Sequence, residues 1–202
     1  MKLRVFIIVC LTISTLGISL GNNTEISQKN NFSKIENVNI DIVKQERTKR
    51  HNQEREKYWL SWYVLDNNLN KTAKTRSDKL TKLWKSTHQR STKDGYYNYW
   101  NIKLRFENLW VNFEDINGTL FTESIWRWYY KCSKLDCTQD LIKSIKSTFK
   151  FFMSEKNKNR KPHYNWIIMK NFSNIWVWIS VDKKTNRYFL VTHYWVNTIK
   201  ID

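Results

Sequence analysis

The last part of the chain has the sequence pattern of a β-hairpin. Apolar residues alternate from Ile175 to Val181, a turn-forming segment follows at Asp182–Asn186, and a second apolar segment runs from Arg187 to Val196. A period of two places successive side chains on opposite faces of a strand, and a short turn joins two such strands into an antiparallel pair. The sequence therefore predicts antiparallel strands at the C-terminal end of the fold.

The preceding segments alternate between helical and strand-like periods. Apolar residues at helical spacing predict three helices, at Gln53–Leu65, Thr75–Gln89 and Leu141–Phe152. A period of two predicts an antiparallel β-meander of about three strands between Trp100 and Tyr130, and a further strand at Tyr164–Met169. Two N-terminal helices, a meander, one helix and C-terminal antiparallel strands together predict an α+β domain.

A four-residue basic motif marks a change in composition. Arg47, Lys49 and Arg50 belong to the sequence Arg-Thr-Lys-Arg, which a polar, Asn-rich segment precedes and all eleven tryptophans follow. The motif resembles the cleavage site of the furin-type proprotein convertases, which read basic residues on an extended, exposed segment. The resemblance implies a convertase as a partner, cleavage after Arg50 and a new N-terminus at His51.

The motif and the leader divide the chain into three segments. Residues 1–21 combine Lys2 and Arg4 with an apolar stretch and a small-residue cleavage site, which is typical of a signal peptide. Residues 22–50 are polar, as expected of a disordered pro-segment. Residues 51–202 are long enough to form one domain. The sequence therefore predicts a secreted protein with a basic, Trp-rich mature domain.

The chain is strongly basic, with 35 Lys and Arg residues against 18 Asp and Glu residues and a formal net charge of +17. This charge favours an anionic partner: RNA, an acidic glycan or an anionic lipid surface. Exposed tryptophans would add flat apolar faces for stacking or for a membrane interface. The charge does not choose among these partners, and a host receptor also stays open.

Several common classes of enzyme are disfavoured. The sequence has no Gly-rich phosphate loop, no His-Glu-x-x-His motif and no Gly-x-Ser-x-Gly motif. Two cysteines without a matching His cluster do not make a zinc site. We therefore expect no metal site and no cofactor.

Two further features fit a secretory route. Once the leader with Cys10 is removed, Cys132 and Cys137 are the remaining cysteines, and an even number in a secreted chain predicts one short-range disulfide. A bond to a partner chain is the alternative. Asn-x-Ser/Thr sequences permit glycosylation, and the candidate sites in the mature segment are Asn70, Asn117 and Asn171.

Two histidines near the C-terminus provide groups for a metal-independent ribonuclease. Cleavage of RNA through its own 2′-hydroxyl needs a general base, a general acid and a cation beside the phosphate. His193 and His163 suit the proton transfers because imidazole titrates near neutrality, and Arg187 suits the phosphate. Glu54 is an alternative base. The competing interpretation is that each histidine is a packed or half-exposed residue of the sheet.

The leader, polar pro-segment, basic cleavage motif and basic α+β domain are similar in layout to secreted killer-toxin precursors of fungi. The resemblance implies a toxin or virulence effector that cuts RNA or damages membranes. A second hypothesis is a non-enzymatic secreted protein that binds an anionic glycan or a host receptor. A third is a membrane-active protein, so whether the chain is an enzyme stays open.

Overall fold

The computed structural model describes residues 38–95, 97–113, 121–132, 135–196 and 198–199. Val38–Cys132 and Thr138–Asp202 form one compact unit. Ser133–Cys137 group with Met1–Asn37 in a second unit, of which only residues 135–137 are described. The predicted signal peptide, most of the predicted pro-segment and the candidate glycosylation site Asn117 lie outside the described residues.

The described part of the larger unit has five α-helices and a four-stranded mixed sheet. The helices are α1 (Ile40–Glu56), α2 (Asn70–Leu83), α3 (Tyr99–Glu107), α4 (Thr138–Ser154) and α5 (Pro162–Ile167). The strands are β1 (Val64–Leu65), β2 (Asn112–Phe113), β3 (Phe121–Tyr129), β4 (Asn174–Asp182), β5 (Arg187–Trp195) and β6 (Thr198–Ile199). The sheet order is β1-β4-β5-β3, and β2 pairs separately with β6. The predicted α+β class, with strands at the C-terminal end, is confirmed.

β5 is the central strand of the sheet. It pairs antiparallel with β4, which confirms the predicted hairpin, and Asp182 lies opposite Arg187. On its other side it pairs antiparallel with β3, where Glu123 lies opposite His193. β1 adds to β4 in parallel. Because β5 has a paired strand on each side, its backbone N–H and C=O groups form hydrogen bonds within the sheet.

Helices cover both faces of the sheet. On one face, Phe189 belongs to a hydrophobic core that includes Leu80 of α2 and Ile102 of α3. On the other face, Tyr194 contacts His51 of α1, and α4 packs beside α1. A strand covered on both faces has few polar positions, which explains why every residue of β5 after Arg187 is buried.

Helix α1 corrects the prediction that the chain is a disordered spacer up to Arg50. Asn39 caps the helix because its side chain accepts a hydrogen bond from the N–H of Ile42 (3.2 Å). The helix then continues to Glu56, so the predicted helix at Gln53–Leu65 begins and ends too late. Most of its buried residues are polar or basic, and apolar spacing therefore gave no signal for it.

Two segments predicted as strands are helices. Asn98 caps α3 by accepting a hydrogen bond from the N–H of Asn101 (3.0 Å). Helix α3 buries Ile102 and Phe106 and leaves other apolar side chains exposed, so that its sequence also alternates. In α5, Pro162 occupies the first turn of the helix, where its missing N–H costs nothing. The second predicted helix exists but lies at Asn70–Leu83 instead of Thr75–Gln89.

Three helices end at a tryptophan in the left-handed backbone region. The φ values are 56° at Trp59 after α1, 54° at Trp84 after α2 and 62° at Trp110 after α3. At the first of these ends, Trp59 N–H donates to the Glu56 carbonyl (3.0 Å) and the next N–H donates to the Arg55 carbonyl (3.2 Å). This is the Schellman pattern, which usually places glycine at that position.

Arg55 connects the end of α1 to the segment between α5 and β4. Its Nη1 donates to the carbonyls of Ile167 (3.2 Å) and Met169 (2.9 Å), and its Nη2 donates to the carbonyl of Phe172 (3.0 Å). Its Nε donates to the Ser61 carbonyl (2.6 Å). One side chain therefore joins parts of the chain that are far apart in sequence.

Among the described residues, no helix is both long enough and apolar enough to cross a bilayer.

Candidate functional site

The candidate site is built on the buried carboxylate of Glu123. Glu123 lies in β3 opposite His193 of β5, on the sheet face that α2 and α3 cover. Its side chain has 0% exposed surface. An isolated carboxylate in such a place is unfavourable unless cations and hydrogen bonds compensate it.

Four side chains compensate this carboxylate. Arg90 contacts both of its oxygens, with Nη2–Oε2 at 2.6 Å and Nη1–Oε1 at 3.1 Å. His88 Nδ1 donates to Oε1 (2.9 Å) and His193 Nε2 donates to Oε2 (3.1 Å). Arg76 Nε lies 3.7 Å from Oε2. We call these five residues the Glu123 centre, in which each carboxylate oxygen already accepts two hydrogen bonds.

The surroundings shift the pKa values of the centre. Burial raises the pKa of Glu123, but the charge of Arg90 and the hydrogen bonds from the two histidines outweigh burial and hold it well below its ordinary value. Burial lowers the pKa of His193, and its bond to Glu123 offsets this only in part. Burial also lowers the pKa of Arg76 to about 10. At neutral pH the centre therefore contains one carboxylate and two guanidinium groups, an excess of positive charge.

The centre also fixes the loop between α2 and α3. Arg76 Nη2 donates to the carbonyls of Thr87 and Gln89. Within the loop, Asp94 accepts hydrogen bonds from the backbone N–H groups of Arg90 and Ser91, both at 2.8 Å. These bonds hold His88 and Arg90 in place beside Glu123.

A cleft of about 470 Å³ opens beside the Glu123 centre. We call it the His163 cleft. Its lining contains imidazole, guanidinium and aromatic groups: His88, Tyr97, Tyr99, Phe121, Thr122, Glu123, Arg160, Pro162, His163 and Trp166. The cleft thus combines basic and aromatic groups, and the carboxylate of Glu123 already accepts hydrogen bonds from within the protein.

Glu155 orients the imidazole of His163 in this cleft. His163 Nδ1 donates to Glu155 Oε1 (2.7 Å), and the backbone N–H groups of His163 and Tyr164 donate to Oε2 (3.0 and 3.3 Å). The ring stacks on Phe152 at a centroid distance of 4.1 Å. Because Nδ1 donates to the carboxylate, Nε2 is the ring atom left for a ligand or a proton.

A second recess of about 290 Å³ lies between α2 and α3. We call it the arginine groove. Four of its lining residues are cationic: Arg76, Lys79, Arg90 and Arg105. The other described lining residues are uncharged: Thr72, Thr75, Phe106, Asn108 and Leu109.

A metal centre finds no support in the described part of the chain. No group of three His, Cys, Asp or Glu residues there is arranged to hold a metal ion. The oxygens of Glu123 and Glu155 are occupied by hydrogen-bond donors.

The four residues proposed from sequence as a ribonuclease site do not come together. His193 is fully buried in the Glu123 centre. Arg187 lies at the other end of β5, six residues away or roughly 20 Å at the rise of a strand, and its guanidinium lies over Trp84. Glu54 pairs with Lys57 on α1 (2.6 Å). Of the four, only His163 lines the cleft.

The basic motif does not have the geometry that was expected of it. Arg47 has no exposed surface, and its guanidinium lies between Phe149 (4.8 Å) and Phe152 (5.0 Å). Lys49 is exposed, and Arg50 pairs with Glu46 (2.9 Å). The expectation of an extended, exposed segment is therefore wrong. Cleavage after Arg50 stays a prediction, and it concerns the chain before α1 has formed.

The other predicted modifications have different outcomes. Cys132 and Cys137 are both disulfide-bonded, and since the chain has three cysteines they are each other's partners. Asn70 begins α2 and is half-buried, whereas Asn171 is exposed in a turn. Both remain candidate glycosylation sites.

Sequence reasoning missed the acidic residues of the site. A signal for Glu123 exists: it stands between Phe121 and Ile125 at the inward positions of an alternating strand. A charged group at such a position requires partners. No comparable signal marks Glu155, which follows the end of an amphipathic helix.

Comparison with known proteins gives a fold. No protein-family model matches the sequence, and no curated protein matches it. Among solved structures, the chain is similar to an outer surface protein from Borrelia burgdorferi, with a TM-score of 0.51 and 15% identity over 73% of this chain and 87% of that one.

A second similar structure is an extracellular protein containing a SCP domain from Bacillus anthracis. The TM-score is 0.54 and the identity 13%, over 78% of this chain. The match covers 41% of that protein, so this chain spans about two fifths of its length. At these identities the likeness concerns the fold alone. The chain therefore shares its fold with an outer surface protein and an extracellular protein.

Proposed function

We propose that the protein is exported and binds an acidic glycan in the His163 cleft. The predicted leader and the two structural neighbours support export. The net charge of +17 supports an anionic ligand. Binding is favoured over catalysis because Arg187 and Glu54 do not line the cleft that contains His163.

The observation that carries the proposal is the state of two carboxylates: Glu123, which lines the cleft, and Glu155, which bonds to His163. Glu123 accepts hydrogen bonds from Arg90 and two histidines, and Glu155 accepts them from His163 and the backbone. Neither carboxylate has to be neutralised by a ligand. An incoming anion therefore meets the exposed guanidinium of Arg160 and the imidazole of His163 as charged or polar partners.

The aromatic residues of the cleft favour a ring-bearing anion over a simple ion. Tyr97, Tyr99 and Trp166 line the same space as Arg160. Aromatic faces pack against the apolar face of a sugar ring, and the tyrosine and indole polar atoms can bond its hydroxyl groups. An acidic sugar would contact the aromatic faces with its ring and Arg160 with its negative charge.

Calorimetric titration with sialyllactose, a glucuronic-acid tetrasaccharide and neutral lactose tests this function. We expect the acidic sugars to bind and lactose to bind at least about tenfold more weakly, because a charge-assisted hydrogen bond is lost. Arg160→Ala should weaken the acidic sugars by a similar factor. Lys150→Ala removes an exposed charge from α4 and is the matched control. Equal losses in both variants, or equal binding of lactose, would contradict the proposal.

A second candidate function is RNA cleavage centred on His163. The Glu155–His163 pair favours it, because a carboxylate that fixes Nδ1–H leaves Nε2 as a proton acceptor. Incubation of the protein with single-stranded RNA tests this function. Cleavage that is lost in His163→Gln and kept in Lys150→Ala would support it and the toxin hypothesis with it. Intact RNA would leave glycan binding as the function.

A further inference from the structure

We propose that the arginine groove binds the sulfate groups of a polysaccharide. This site is separate from the His163 cleft and goes beyond the function proposed for that cleft. It is assigned from three observations: uncompensated charge, a buried guanidinium with unused donors, and a continuation of the groove beside an exposed tryptophan.

The groove carries more positive than negative charge. Arg76 and Arg90 share the single carboxylate of Glu123, which leaves one positive charge without a counterion among the described residues. At the rim, Lys79 and Arg105 are exposed and have no acidic partner in the same part of the chain. Four cations therefore surround a recess in which none of the described lining residues is a carboxylate. Such a concentration of one charge attracts an anion strongly.

Arg76 gives the groove a second, independent indication of a ligand. Its side chain is 3% exposed. Within the described part of the chain its Nη1 has no hydrogen-bond partner, and its Nε is too far from Glu123 Oε2, at 3.7 Å, for a hydrogen bond. A buried guanidinium with unused donors is unfavourable, and an oxyanion in the groove would lower that cost.

The arrangement of donors suits a sulfate ester. A sulfate ester has three terminal oxygens and stays anionic at every physiological pH. Guanidinium groups bind such oxyanions through paired, parallel hydrogen bonds. Arg105 and Lys79 approach from the rim, and the hydroxyl of Thr75 lies on the same lining. A single carboxylate would satisfy fewer of these donors.

The groove continues along α2, which favours a polymer over a single sugar. A neighbouring recess of about 420 Å³ shares Leu109 with it and is lined by Lys71, Lys74 and Trp110. From Lys71 to Lys79 the helix rises about 12 Å, longer than one sugar ring. Trp110 is 79% exposed and offers a flat face at this end. A chain of sulfated sugars would meet cations along the helix and an aromatic face beside them.

Titration with a fully sulfated heparin hexasaccharide tests the proposal. The double variant Lys79→Ala/Arg105→Ala should raise the Kd at least about tenfold. The control Lys49→Ala/Lys150→Ala removes the same charge from exposed positions of α1 and α4 and should raise it less than about threefold. Equal effects of the two double variants would overturn the proposal.

Three further measurements separate the alternatives. Desulfated heparin hexasaccharide should bind at least about tenfold more weakly than the sulfated form. Trp110→Gly should weaken heparin binding without loss of stability, because glycine suits its backbone conformation. Arg160→Ala in the His163 cleft should weaken heparin binding less than the groove variant does, because the sulfate groups bind mainly in the groove. A loss in Arg160→Ala as large as in the groove variant, or tighter groove-dependent binding of an RNA hexamer than of heparin, would overturn the assignment.

Discussion

Arg90 and Glu123 form a buried bidentate pair, with Nη2–Oε2 at 2.6 Å and Nη1–Oε1 at 3.1 Å. The side chains are 7% and 0% exposed. The pair joins the loop after α2 to β3, an edge strand of the four-stranded sheet. Arg90 lines the arginine groove and Glu123 lines the His163 cleft, so both surfaces depend on one carboxylate.

Replacing this carboxylate should destabilise the protein severely. Glu123→Gln keeps the size of the side chain but leaves Arg76 and Arg90 buried without a counterion, which costs about 3–5 kcal/mol. Urea denaturation followed by tryptophan fluorescence measures the change. Glu107→Gln removes one partner of the more exposed Lys103–Glu107 pair (3.6 Å) and should cost less than about 1 kcal/mol. Similar losses in the two variants would show that the buried pair has no special role.

Stability should fall as the pH drops below neutrality, partly because of His51. Burial and the charge of Arg47 lower the pKa of His51 well below its ordinary value of 6.5. The folded state then keeps this ring neutral, whereas the unfolded chain takes up a proton below pH 6.5. Each such histidine therefore lowers the free energy of unfolding by up to about 1.4 kcal/mol per pH unit below 6.5.

Urea denaturation at pH 7.5, 6.5 and 5.5 checks this expectation. His51→Gln disturbs the hydrogen bonds to the Arg47 carbonyl and the Tyr194 hydroxyl, so it should be less stable than the parent at pH 7.5. Because glutamine does not titrate, the variant should lose less stability than the parent between pH 7.5 and pH 5.5. Burial also lowers the pKa of His193, so the stability of this variant should still fall somewhat as the pH drops. A parent protein with the same stability at all three pH values would contradict the buried, neutral state of both rings.

Trp59 offers a test of backbone strain. It is 96% exposed and holds φ at 56°, a conformation that costs an L-residue about 1–2 kcal/mol. Trp59→Gly should therefore leave the free energy of unfolding unchanged or raise it by up to about 1 kcal/mol. Trp59→Ala removes the ring but keeps the strain, so it is the matched control. A glycine variant less stable than the alanine variant would show that the indole contributes packing.

The folded protein should resist a furin-type convertase at Arg50. Arg47 is buried in the middle of α1, and a protease needs its recognition segment extended. Intact mass after incubation with the enzyme gives the result. A synthetic peptide covering residues 43–55 is the control and should be cut. Cleavage of the native protein as fast as the peptide would show that α1 opens readily.

The sequence predicts the C-terminal hairpin well because most residues of β4 and β5 are apolar and a turn-forming segment separates the two strands. The start and end of helix α1 could not be predicted from apolar spacing, because its buried face includes four basic residues: Lys44, Arg47, His51 and Arg55. Their partners are ring faces and carbonyl groups from distant segments, as the contacts of Arg55 show. No local pattern contains that information.

Helix α3 shows a different ambiguity. Trp100, Ile102, Leu104 and Phe106 fit a strand period, yet only Ile102 and Phe106 are inside. The side chain of Asn98 caps the first turn of α3 and so favours a helix over a strand. The site was missed for a related reason: His88, Glu123 and His193 are separated by 35 and 70 residues. The pairing of β3 with β5 brings Glu123 beside His193, and the loop after α2 brings His88 to the same carboxylate.

The clamp formed by Arg55 has a consequence for biosynthesis. Arg55 and the carbonyl of Phe172 are 117 residues apart, and a ribosome adding about 5–20 residues per second needs roughly 6–23 s to make that length. During this interval α1 lacks the distant residues that bury its basic side chains, and its basic stretch is open to chaperones and proteases. We therefore expect an enzyme that reads Arg47–Arg50 to act on the chain as it emerges, since Arg47 has no exposed surface in the folded protein.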